Sequence, residues 1–536
     1  MEFNLADLFE SVVDTVGDRV ALVAGDRRLT YAELDGRANR LAHCLADAGI
    51  AAGDFVGVQL ANGAEYLETM LACFKIRAVP VNINYRYVAS ELEHLYRDAR
   101  LSGLAFHSSF APAVADAIRS IPVRPLLLEV RDDAAASGLG VDLESALAGV
   151  PDVRGFARRS ADDLYCVYTG GTTGMPKGVL WRHEDIFFAA MGGGDPMSLG
   201  NVISSPEELA DRVKGGGLAS LPASPLVHAA AHWLAFSMLL GGGKVVLVPG
   251  RHLDPAALWH LMAAESVNVL VVVGDAIARP LLDWLETHGQ RCDVSSLLAI
   301  GSGGAALSPS TKRRIARLLP GRVVADAFGS SETGQLGGSA PEDDPLGPPQ
   351  LRVDERTDVL DADLRPVVAG SGAHGHLARS GHIPIGYLGD EAKTAQTFVE
   401  AGGARWALSG DVATVGADGT ITVLGRGSLC INTGGEKVFP EEVEAVLKEH
   451  GDVEDALVVG VPDDYYGERV SAVVQSRPGA DVEPESLRAF CRARLAGYKV
   501  PKTIAVVAAV KRSVAGKADY RWARAAAAAG TPDPGP

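Results

Sequence analysis

The stretch YTGGTTGMPKG, from Tyr168 to Gly178, carries residue types that bind a polyphosphate. Glycines expose backbone N–H groups, threonines offer hydroxyls and a lysine adds a positive charge. The residues concerned are Thr169, Gly170, Gly171, Thr172, Thr173, Gly174 and Lys177. Their spacing departs from the common loop G-x-x-x-x-G-K-[ST], because Met175 or Pro176 stands where the second glycine belongs. The stretch is therefore a candidate phosphate loop of another kind, with a glycine-rich hairpin as the alternative.

The stretch DAFGSSETG adds groups that suit a nucleotide. The ring of Phe328 can stack on a base, and the carboxylate of Glu332 can hold Mg²⁺ beside a phosphate site. Hydroxyls are offered by Ser330 and Ser331. The sequence thus predicts a second part of the same site.

Two later stretches each carry one charged residue of interest. In WALSGDVA, Asp411 follows a glycine, and its carboxylate can accept hydrogen bonds from both hydroxyls of a ribose. In KRSVAGKADY, Lys517 lies in a glycine-bearing loop near the C-terminus. An isolated surface lysine is usually just solvated. Lys517 is therefore a candidate functional residue only in combination with the other stretches.

The elements that must position these groups follow a strand–helix rhythm. DFVGVQL and AVPVNI are predicted buried strands, and GAEYLETMLACFKIR between them is a predicted helix. Thr30 and Glu33 have capping-box spacing at the start of an earlier helix. The rhythm continues through GGKVVLVPG, VNVLVVVGD and GRVVADAFGSSETG. It predicts an α/β fold with mixed or parallel sheets covered by helices.

The chain divides into parts of unequal size. After TITVLGRGS, the pattern predicts a compact α+β unit of roughly a hundred residues, joined near Gly425–Ser428. We expect a large domain over residues 1–427, a small mobile domain over 428–522 and a disordered tail over 523–536. Residues 192–217 are expected to form a surface excursion, and 341–350 a proline-rich connector.

Composition excludes several classes of protein. The 536 residues carry 50 basic and 67 acidic side chains, a net charge of −17, which argues against wholesale binding of nucleic acid. The six cysteines lie more than ten residues apart, so no C-x-x-C pair exists, and reduced thiols are expected. No basic region followed by an apolar run is found at the N-terminus, and no clean spanning helix elsewhere. We expect a cytoplasmic protein without an integral membrane segment.

The ordered set of motifs resembles the adenylate-forming superfamily of acyl-CoA synthetases, luciferases and peptide-synthetase adenylation domains, over residues 5–522. The motifs are YTGGTTGMPKG, PLVH (225–228), GSGGAAL (301–307), FGSSE (328–332), SGD (409–411), GRGS (425–428), GGEKVFPEEVE (434–444) and GKAD (516–519). Each motif alone is moderately specific, whereas the ordered set is very specific. Within the superfamily the chain is most similar to actinobacterial fatty-acid and steroid side-chain acyl-CoA ligases, through TGGTTG, WRHED, GDAIARP, INTGGEKV and AGYKVP.

The resemblance implies a two-step reaction with ATP, Mg²⁺ and CoA. A carboxylate attacks the α-phosphorus of ATP to give acyl-AMP and pyrophosphate, and a thiol then takes the acyl group while AMP leaves. Lys517 is implied to bridge the carboxylate and the α-phosphate, and Glu332 to hold Mg²⁺. The loop from Thr169 to Lys177, with Thr173, is implied to take the β- and γ-phosphates.

The resemblance also implies binding roles. The residues implied for ATP and AMP are Thr169, Gly170, Gly171, Thr172, Gly174, Gly304, Ala305, Asp326, Phe328, Gly329, Ser330, Ser331, Asp411 and Arg426. Those implied for the acyl pocket are His228 and Gly303, for the CoA tunnel Gly435 and Glu436, and for the hinge Ser428. His228 could equally be a core histidine without the resemblance, and His183 is interpreted as structural. Ser428 departs from the Asp or Lys that is common in relatives, and Phe328 and Ser331 replace Tyr and Thr.

Several alternatives stay open at this level. A peptide-synthetase adenylation domain would load a carrier protein, but only about twenty residues follow Lys517, which favours free CoA. A luciferase would share the first step, and a nucleotide-binding regulator would have no turnover; the presence of both Lys517 and Glu332 argues against the regulator. The favoured acid is a steroid side-chain carboxylate, and the alternative is a medium- or long-chain fatty acid. The expected partners are thus small molecules, and a homodimeric state is a further possibility.

Overall fold

A computed structural model describes residues 1–169, 175–196, 200–289, 292–338, 350–351, 353–433, 436–463, 467–495, 497–512 and 516–529. Its strands form four sheets of eight, eight, six and five strands. Helices cover the two large sheets, so the predicted α/β architecture with mixed sheets is confirmed. In this described part of the chain, no helix is both long and apolar enough to cross a membrane.

The first large sheet contains most of the N-terminal strands and the strand before the candidate phosphate loop. Its order is β19-β9-β8-β4-β3-β5-β6-β7. Its strands are β3 (Phe55–Gln59), β4 (Val79–Asn82), β5 (Gly103–His107), β6 (Leu126–Val130), β7 (Val141–Asp142), β8 (Leu164–Thr169), β9 (Lys177–Arg182) and β19 (Gly386–Tyr387). The central strands are buried on both faces, as their continuous apolar runs predict for parallel strands beneath helices.

The second large sheet carries the FGSSE stretch. Its order is β15-β14-β13-β12-β10-β11-β1-β2. Its strands are β1 (Val20–Ala24), β2 (Arg27–Thr30), β10 (Ala219–Pro222), β11 (Lys244–Leu247), β12 (Val269–Val272), β13 (Ala299–Gly303), β14 (Val323–Ser330) and β15 (Gly334–Gly338). Strands β10 to β14 run parallel, so the residues at their C-terminal ends share one edge of the sheet.

Two smaller sheets follow along the chain. The six-stranded sheet contains β16 (Gln350–Leu351), β17 (Thr357–Leu360), β18 (His374–Ser380), β20 (Phe398–Ala401), β21 (Ala404–Val415) and β22 (Ile421–Arg426). The five-stranded sheet contains β23 (Ile431–Thr433), β24 (Glu436–Val438), β25 (Val453–Asp463), β26 (Gly467–Ser476) and β27 (Thr503–Val507). All strands of the last sheet fall within the predicted small domain, although the boundary at 427/428 and the mobility of that domain stay predictions.

Sixteen α-helices lie in the part of the chain that the structure describes. They are α1 (Leu5–Val16), α2 (Tyr31–Asp47), α3 (Ala64–Lys75), α4 (Ala89–Asp98), α5 (Ala111–Ile118), α6 (Leu143–Leu147), α7 (His183–Ala190), α8 (Glu208–Val213), α9 (Ala229–Leu240), α10 (Pro255–Ala264), α11 (Gly274–His288), α12 (Pro309–Leu318), α13 (Glu391–Thr397), α14 (Pro440–Glu449), α15 (Pro484–Arg492) and α16 (Tyr520–Ala529). The predicted capping box is confirmed, since Glu33 N–H donates to Thr30 Oγ1 at 3.2 Å and Thr30 N–H donates to Glu33 Oε2 at 2.8 Å.

Two sequence-based expectations about loops need correction. Residues 192–217 include the short helix α8, whose Leu209 and Val213 are fully buried in the main core, so this stretch is not simply a surface excursion. The expected disordered tail begins too early, because α16 continues to Ala529. Ala523 and Ala527, four residues apart, bury their methyl groups among apolar side chains that include those of β25. Residues 341–349 of the predicted connector, and the tail from 530, lie outside the described residues.

Candidate active site

One cleft brings most of the predicted functional residues together. It has a volume of about 3380 Å³ and is lined by the second large sheet, helix α9 and the small C-terminal unit. The predicted residues on its wall are Thr169, His228, Gly303, Gly304, Ala305, Asp326, Phe328, Gly329, Ser330, Ser331, Glu332, Asp411 and Lys517. Residues far apart in sequence thus line one space, which only the tertiary fold can arrange.

The candidate phosphate loop connects two paired strands. Thr169, at the end of β8, pairs in antiparallel register with Lys177, at the start of β9, so the glycine-rich stretch joins a hairpin. The buried Asn82 side chain holds β8 in place: its amide accepts from Tyr168 N–H at 2.7 Å and donates to the carbonyls of Tyr168 and Val227. Gly170, Gly171, Thr172, Thr173 and Gly174 lie outside the described residues, so their phosphate contacts stay a prediction.

Lys177 has a defined carboxylate partner. Its Nζ lies 2.6 Å from Asp390 Oδ2, and 6.0 Å from the centre of the Tyr387 ring. The hydrogen bond from Lys177 holds the pKa of Asp390 below its ordinary value. Both side chains are partly exposed, so the pair contributes little to stability, and a phosphate group can compete for the ammonium.

Glu332 is held at the turn between β14 and β15. Its backbone N–H donates to Ser330 Oγ at 3.2 Å, and its Oε1 accepts from the hydroxyl of Tyr387 at 2.9 Å. The indole of the buried Trp181 donates to the carbonyl of Ser331, which fixes the same turn. Burial, followed by the charge of Glu332, raises the pKa of Tyr387, so the phenol stays a donor.

The donor set around Glu332 fits Mg²⁺ that enters with a nucleotide. Mg²⁺ is commonly bound by one or two carboxylates together with substrate phosphates, and it keeps several waters. Among the described residues, no group of three or more His, Cys, Asp or Glu side chains could hold a metal ion. Glu332 offers one oriented carboxylate on the wall of the cleft, which is the kind of ligand that Mg²⁺ takes together with substrate phosphates.

The predicted adenine side is built from the ends of β13 and β14. Phe328 is half-buried on the cleft, and Gly304 has φ of +85°, a conformation that favours glycine. Ser302 Oγ donates to the carbonyl of Ala305 at 2.7 Å, which fixes the loop after β13. Asp326 has structural partners, because its carboxylate accepts from Leu307 N–H at 3.0 Å and pairs with Lys312 at 2.6 Å. These contacts shape the loop that follows β13, next to the strand that carries Phe328.

Asp411 and Arg426, both predicted to hold the ribose, are cross-strand neighbours. Asp411 on β21 pairs directly with Arg426 on β22 in antiparallel register. The N–H of Asp411 donates to Ser409 Oγ at 3.0 Å. The two strands therefore place the backbones of the two predicted ribose ligands side by side, and Asp411 lines the cleft.

The deep part of the cleft has an apolar floor of small residues. Val271, Gly301 and Ala325 form one row across β12, β13 and β14. A second row is formed by Val269, Ala299 and Val323. The opposite wall is helix α9, with Ala229, Ala230, Trp233, Leu234, Ser237 and Met238 facing the cleft. A methyl group at Gly303 would lie 3.9 Å from the Ala230 Cβ, so sheet and helix approach closely at that point.

His228 and Lys517 meet where the apolar part joins the polar part. His228 is the residue before α9, and Lys517 reaches the cleft from the C-terminal unit. Burial, and after it the positive charge of Lys517, lowers the pKa of His228 to about 4. A neutral imidazole therefore stands within electrostatic reach of the lysine ammonium.

The remaining predicted residues are only partly described. Ser428 lies in the short 3-10 turn Gly427–Leu429 that directly follows β22, where the six-stranded sheet ends. Glu436 begins β24, and Gly435 lies outside the described residues. His183 is fully buried, its Nδ1 accepts from Leu5 N–H, and burial lowers its pKa to about 4, in keeping with the structural interpretation.

Sequence reasoning missed several residues that position the site. Tyr387 and Asp390 contact the predicted functional residues Glu332 and Lys177, and Asn82 contacts Tyr168, the residue before Thr169; none of the three was assigned to the site from sequence. Tyr387 is separated from Glu332 by 55 residues, and Asp390 from Lys177 by 213. These pairs form because β19 lies beside β9 in the sheet, and the sequence alone does not show that strand pairing.

The fold and the site together define an adenylate-forming enzyme. Residues 9–387 match the family model described as AMP-binding enzyme, and residues 442–517 match the AMP-binding enzyme C-terminal domain. The chain belongs to this family of AMP-binding enzymes.

Curated relatives cover almost the whole chain. A 3-oxocholest-4-en-26-oate–CoA ligase from Rhodococcus rhodochrous is 46% identical over 535 residues, which are 98% of this chain and 96% of that protein. A medium/long-chain-fatty-acid–CoA/3-oxocholest-4-en-26-oate–CoA ligase from Mycobacterium tuberculosis is 46% identical over 528 residues, covering 97% of this chain and 95% of the relative.

Solved structures share the fold. The anthranilate CoA ligase AuaEII in complex with anthranoyl-AMP superposes with a TM-score of 0.84 at 22% identity, over 98% of this chain and 97% of that one. The amide bond synthetase McbA from Marinactinospora thermotolerans gives a TM-score of 0.81 at 26% identity, over 97% of this chain and 99% of the other.

Proposed function

We propose that this protein is an ATP-dependent acyl-CoA ligase that activates a hydrophobic carboxylic acid through an acyl-AMP. One observation carries the proposal: a single cleft joins an apolar floor to a polar end that holds Glu332, Asp411 and Lys517. An acid bound along the floor would present its carboxylate where a nucleotide's α-phosphate would lie. The same cleft then holds both reactants in contact, which removes much of the entropic barrier.

The first step brings an anion onto a polyanion, so charge neutralisation is the main task. Lys517 binds the incoming carboxylate and the α-phosphate, while Lys177 leaves Asp390 for the outer phosphates. Mg²⁺, held by Glu332, would neutralise part of the phosphate charge. The carboxylate oxygen forms a bond to the α-phosphorus, the bond to pyrophosphate breaks, and acyl-AMP remains in the cleft.

The second step transfers the acyl group to CoA. The thiol loses its proton as sulfur attacks the acyl carbonyl, and AMP leaves with the electrons of the broken C–O bond. In this step Lys517 must leave room for the thiol, which requires a rotation of the C-terminal unit at Ser428. Gly435 and Glu436 would then line the entry of the pantetheine arm.

The favoured acid is a steroid side-chain carboxylate. The row of Val271, Gly301 and Ala325 carries short side chains, which leaves space for a rigid ring system, and the name of the relative from Rhodococcus rhodochrous gives the same class of substrate. A medium- or long-chain fatty acid is the alternative, favoured by the second printed activity of the relative from Mycobacterium tuberculosis. Loading of a separate carrier protein is a further alternative. A cytoplasmic location and a homodimeric state stay predictions.

A substrate screen tests the proposal. Purified protein is incubated with ATP, Mg²⁺, CoA and one acid at a time, and thioester, AMP and pyrophosphate are measured by mass spectrometry and coupled assays. We expect equal amounts of the three products with a steroid side-chain acid, and less with hexadecanoate. A preference for acetate or an amino acid, or acyl-AMP formation without transfer to CoA, would contradict the proposal.

The role of Lys517 is tested by separating the two steps. Lys517→Ala should slow acyl-AMP formation by about 10²–10³-fold, by analogy with the loss of one oxyanion donor, because the cation at the α-phosphate is gone. Transfer from supplied acyl-AMP to CoA should stay close to the wild-type rate. If both steps slow equally in a folded variant, the assigned role is wrong.

A further inference from the structure

We propose that Arg512 and Asp455 form a positioning pair that holds the Lys517 loop in the arrangement needed for the first step. The inference rests on the proposed function, because it concerns the residue that delivers charge to the α-phosphate. Asp455 lies outside every stretch singled out in the sequence, and Arg512 lies in KRSVAGKADY but was given no role there. The pair is identified by three contacts that meet at one guanidinium.

The first two contacts anchor Arg512 to the core of the small unit. Arg512 Nε lies 2.6 Å from Asp455 Oδ2, and its Nη2 lies 2.8 Å from Oδ1 of the same carboxylate. This fork-on-fork geometry fixes both the position and the orientation of the guanidinium. Asp455 lies near the start of β25, a long edge strand of the five-stranded sheet that pairs with β26 from Val453 to Asp463, so the sheet holds the anchor.

The third contact transmits that rigidity to the lysine. Arg512 Nη1 donates to the carbonyl of Gly516, the residue before Lys517, at 3.1 Å. On the other side of the lysine, Arg512 forms a backbone bridge with Ala518, and Asp519 N–H donates to the carbonyl of Lys511 at 3.1 Å. The backbone is therefore fixed immediately before and after Lys517.

The electrostatics of the pair favour an ionic contact between Arg512 and Asp455. Burial alone would raise the pKa of Asp455, but the hydrogen bonds from Arg512 and the charge of Lys448 hold it below its ordinary value. The pair also raises the pKa of Arg512 above its ordinary value in spite of burial. Both side chains are about one-fifth exposed, so water does not readily compete for the contact.

The fixed backbone lies directly against the large domain. Gly516 has φ of +71°, and a methyl group in its place would lie 3.0 Å from the carbonyl oxygen of Val273 and 3.3 Å from the Ala276 Cβ. The loop therefore approaches the start of helix α11 with its backbone, and Lys517 enters the cleft within electrostatic reach of His228. A small shift of Gly516 would move the ammonium away from its target.

The experiment compares the two half-reactions in the full-length protein. Adenylation is measured by single-turnover formation of acyl-AMP, and transfer is measured with supplied acyl-AMP and CoA. Arg512→Gln and Asp455→Asn should slow adenylation roughly 10–100-fold, because a misplaced catalytic group costs about that much, while the KM for ATP changes less than about threefold. Transfer should stay within about threefold of the wild-type rate, since Lys517 is not used there.

Two further variants separate positioning from general folding. Arg512→Lys keeps the positive charge but cannot form the two parallel hydrogen bonds to Asp455. Its adenylation rate should lie between those of Arg512→Gln and the wild type. The double variant Arg512→Gln/Lys517→Ala should be no slower in adenylation than Lys517→Ala alone, because the pair acts through the lysine. Arg492→Gln is the matched control: it also breaks an arginine–carboxylate pair of the small unit, with Glu485 on α15. The control should leave both half-reactions unchanged.

The outcomes separate failure of this inference from failure of the proposed function. If the wild-type protein forms no acyl-AMP with any acid, the proposed function fails. If the wild type is active and Arg512→Gln adenylates normally, the positioning pair is refuted. Equal losses in both half-reactions, or a double variant well below Lys517→Ala, would show that Arg512 supports the fold rather than the lysine, and would also refute it.

Discussion

The hydroxyl of Tyr387 donates to Oε1 of Glu332 at 2.9 Å, across 55 residues of sequence. Tyr387 belongs to β19, which pairs with β9, the strand that begins with Lys177. One phenol thus connects the predicted metal-binding carboxylate with the strand that follows the phosphate loop. Oxygen ligands of metals are commonly oriented by such outer contacts.

Tyr387→Phe should therefore weaken the use of Mg²⁺. Removal of the hydroxyl releases Glu332 from one fixed orientation, and loss of an outer-shell contact typically costs about 10-fold in metal affinity or activity. The Mg²⁺ concentration that gives half-maximal pyrophosphate exchange should rise about 10-fold, with a similar change when Mn²⁺ replaces Mg²⁺. The measurement is a metal titration at fixed free ATP.

Tyr31→Phe is the control for Tyr387→Phe. The hydroxyl of Tyr31 is buried and donates to the carbonyls of Leu239 and Gly243, away from Glu332. Its loss should lower the free energy of unfolding by about 1–3 kcal/mol and leave the Mg²⁺ midpoint unchanged. Equal Mg²⁺ midpoints for Tyr387→Phe and wild type would contradict the role given to Tyr387.

Local patterns predicted the elements better than they predicted the contacts between them. The strands around the FGSSE stretch and the capping box at Thr30 follow from periodicity and side-chain type, and the structure has them. The partner of Lys177 could not be predicted, because Asp390 becomes its neighbour only through strand pairing. The burial of Ala523 in α16 was missed for the same reason, since an alanine run carries no sign of the sheet that covers it.

The low pKa of His228 predicts how adenylation depends on pH. Burial and the charge of Lys517 lower this pKa to about 4, so the ring is neutral throughout pH 5.5–8 and takes up a proton only well below that range. The profile of kcat/KM for pyrophosphate exchange should therefore contain no limb from His228. His228→Asn should change the value of kcat/KM by the same factor at every pH in this range, so the pH dependence itself should not change.

The comparison needs profiles of the wild type and His228→Asn over pH 5.5–8 in buffers of constant ionic strength. An acidic limb with an apparent pKa of 6–7 that disappears in the variant would show that His228 titrates near its ordinary value. In that case burial and the charge of Lys517 would not together act on the imidazole during catalysis.

A larger side chain at Gly301, on the floor of the cleft, should reduce the use of bulky acyl substrates. A Cβ at Gly301 would meet only the Val271 Cγ2, at 3.4 Å, so a larger side chain fits the fold and projects into the cleft. Gly301→Val should lower kcat/KM for a polycyclic acid by about 10–200-fold, and change that for hexanoate little, because lost pocket space is worth roughly 1–3 kcal/mol. Thioester formation with each acid is the measurement.

Gly155→Val is the matched control for Gly301→Val. No atom lies within 4 Å of a Cβ placed at Gly155, so this change adds the same side chain outside the cleft. Its kcat/KM should match the wild type for both acids. Unchanged use of the polycyclic acid by Gly301→Val would place the acyl group elsewhere.

An ion pair between the two parts of the chain should bias the balance between the two steps. Arg279 on α11 is 9% exposed, and its Nη1 lies 3.2 Å from Glu454 Oε1 on β25. The same guanidinium lies 3.0 Å from the carboxylate of Asp275, and it also donates to the backbone carbonyl of Glu454. If the C-terminal unit rotates as proposed, this contact belongs to the arrangement that presents Lys517 to the cleft, and it stabilises that arrangement for adenylation.

Glu454→Gln should therefore slow adenylation about 3–10-fold, because a loss of roughly 1 kcal/mol shifts the equilibrium by that order. Transfer from supplied acyl-AMP should be equal to or faster than the wild-type rate, since the competing arrangement becomes more populated. Glu93→Gln, which breaks an exposed pair with Arg97 in the large domain, is the control and should alter neither rate. The ratio of the two single-turnover rates is the readout. A ratio equal to that of the wild type would show that the ion pair does not distinguish the two arrangements.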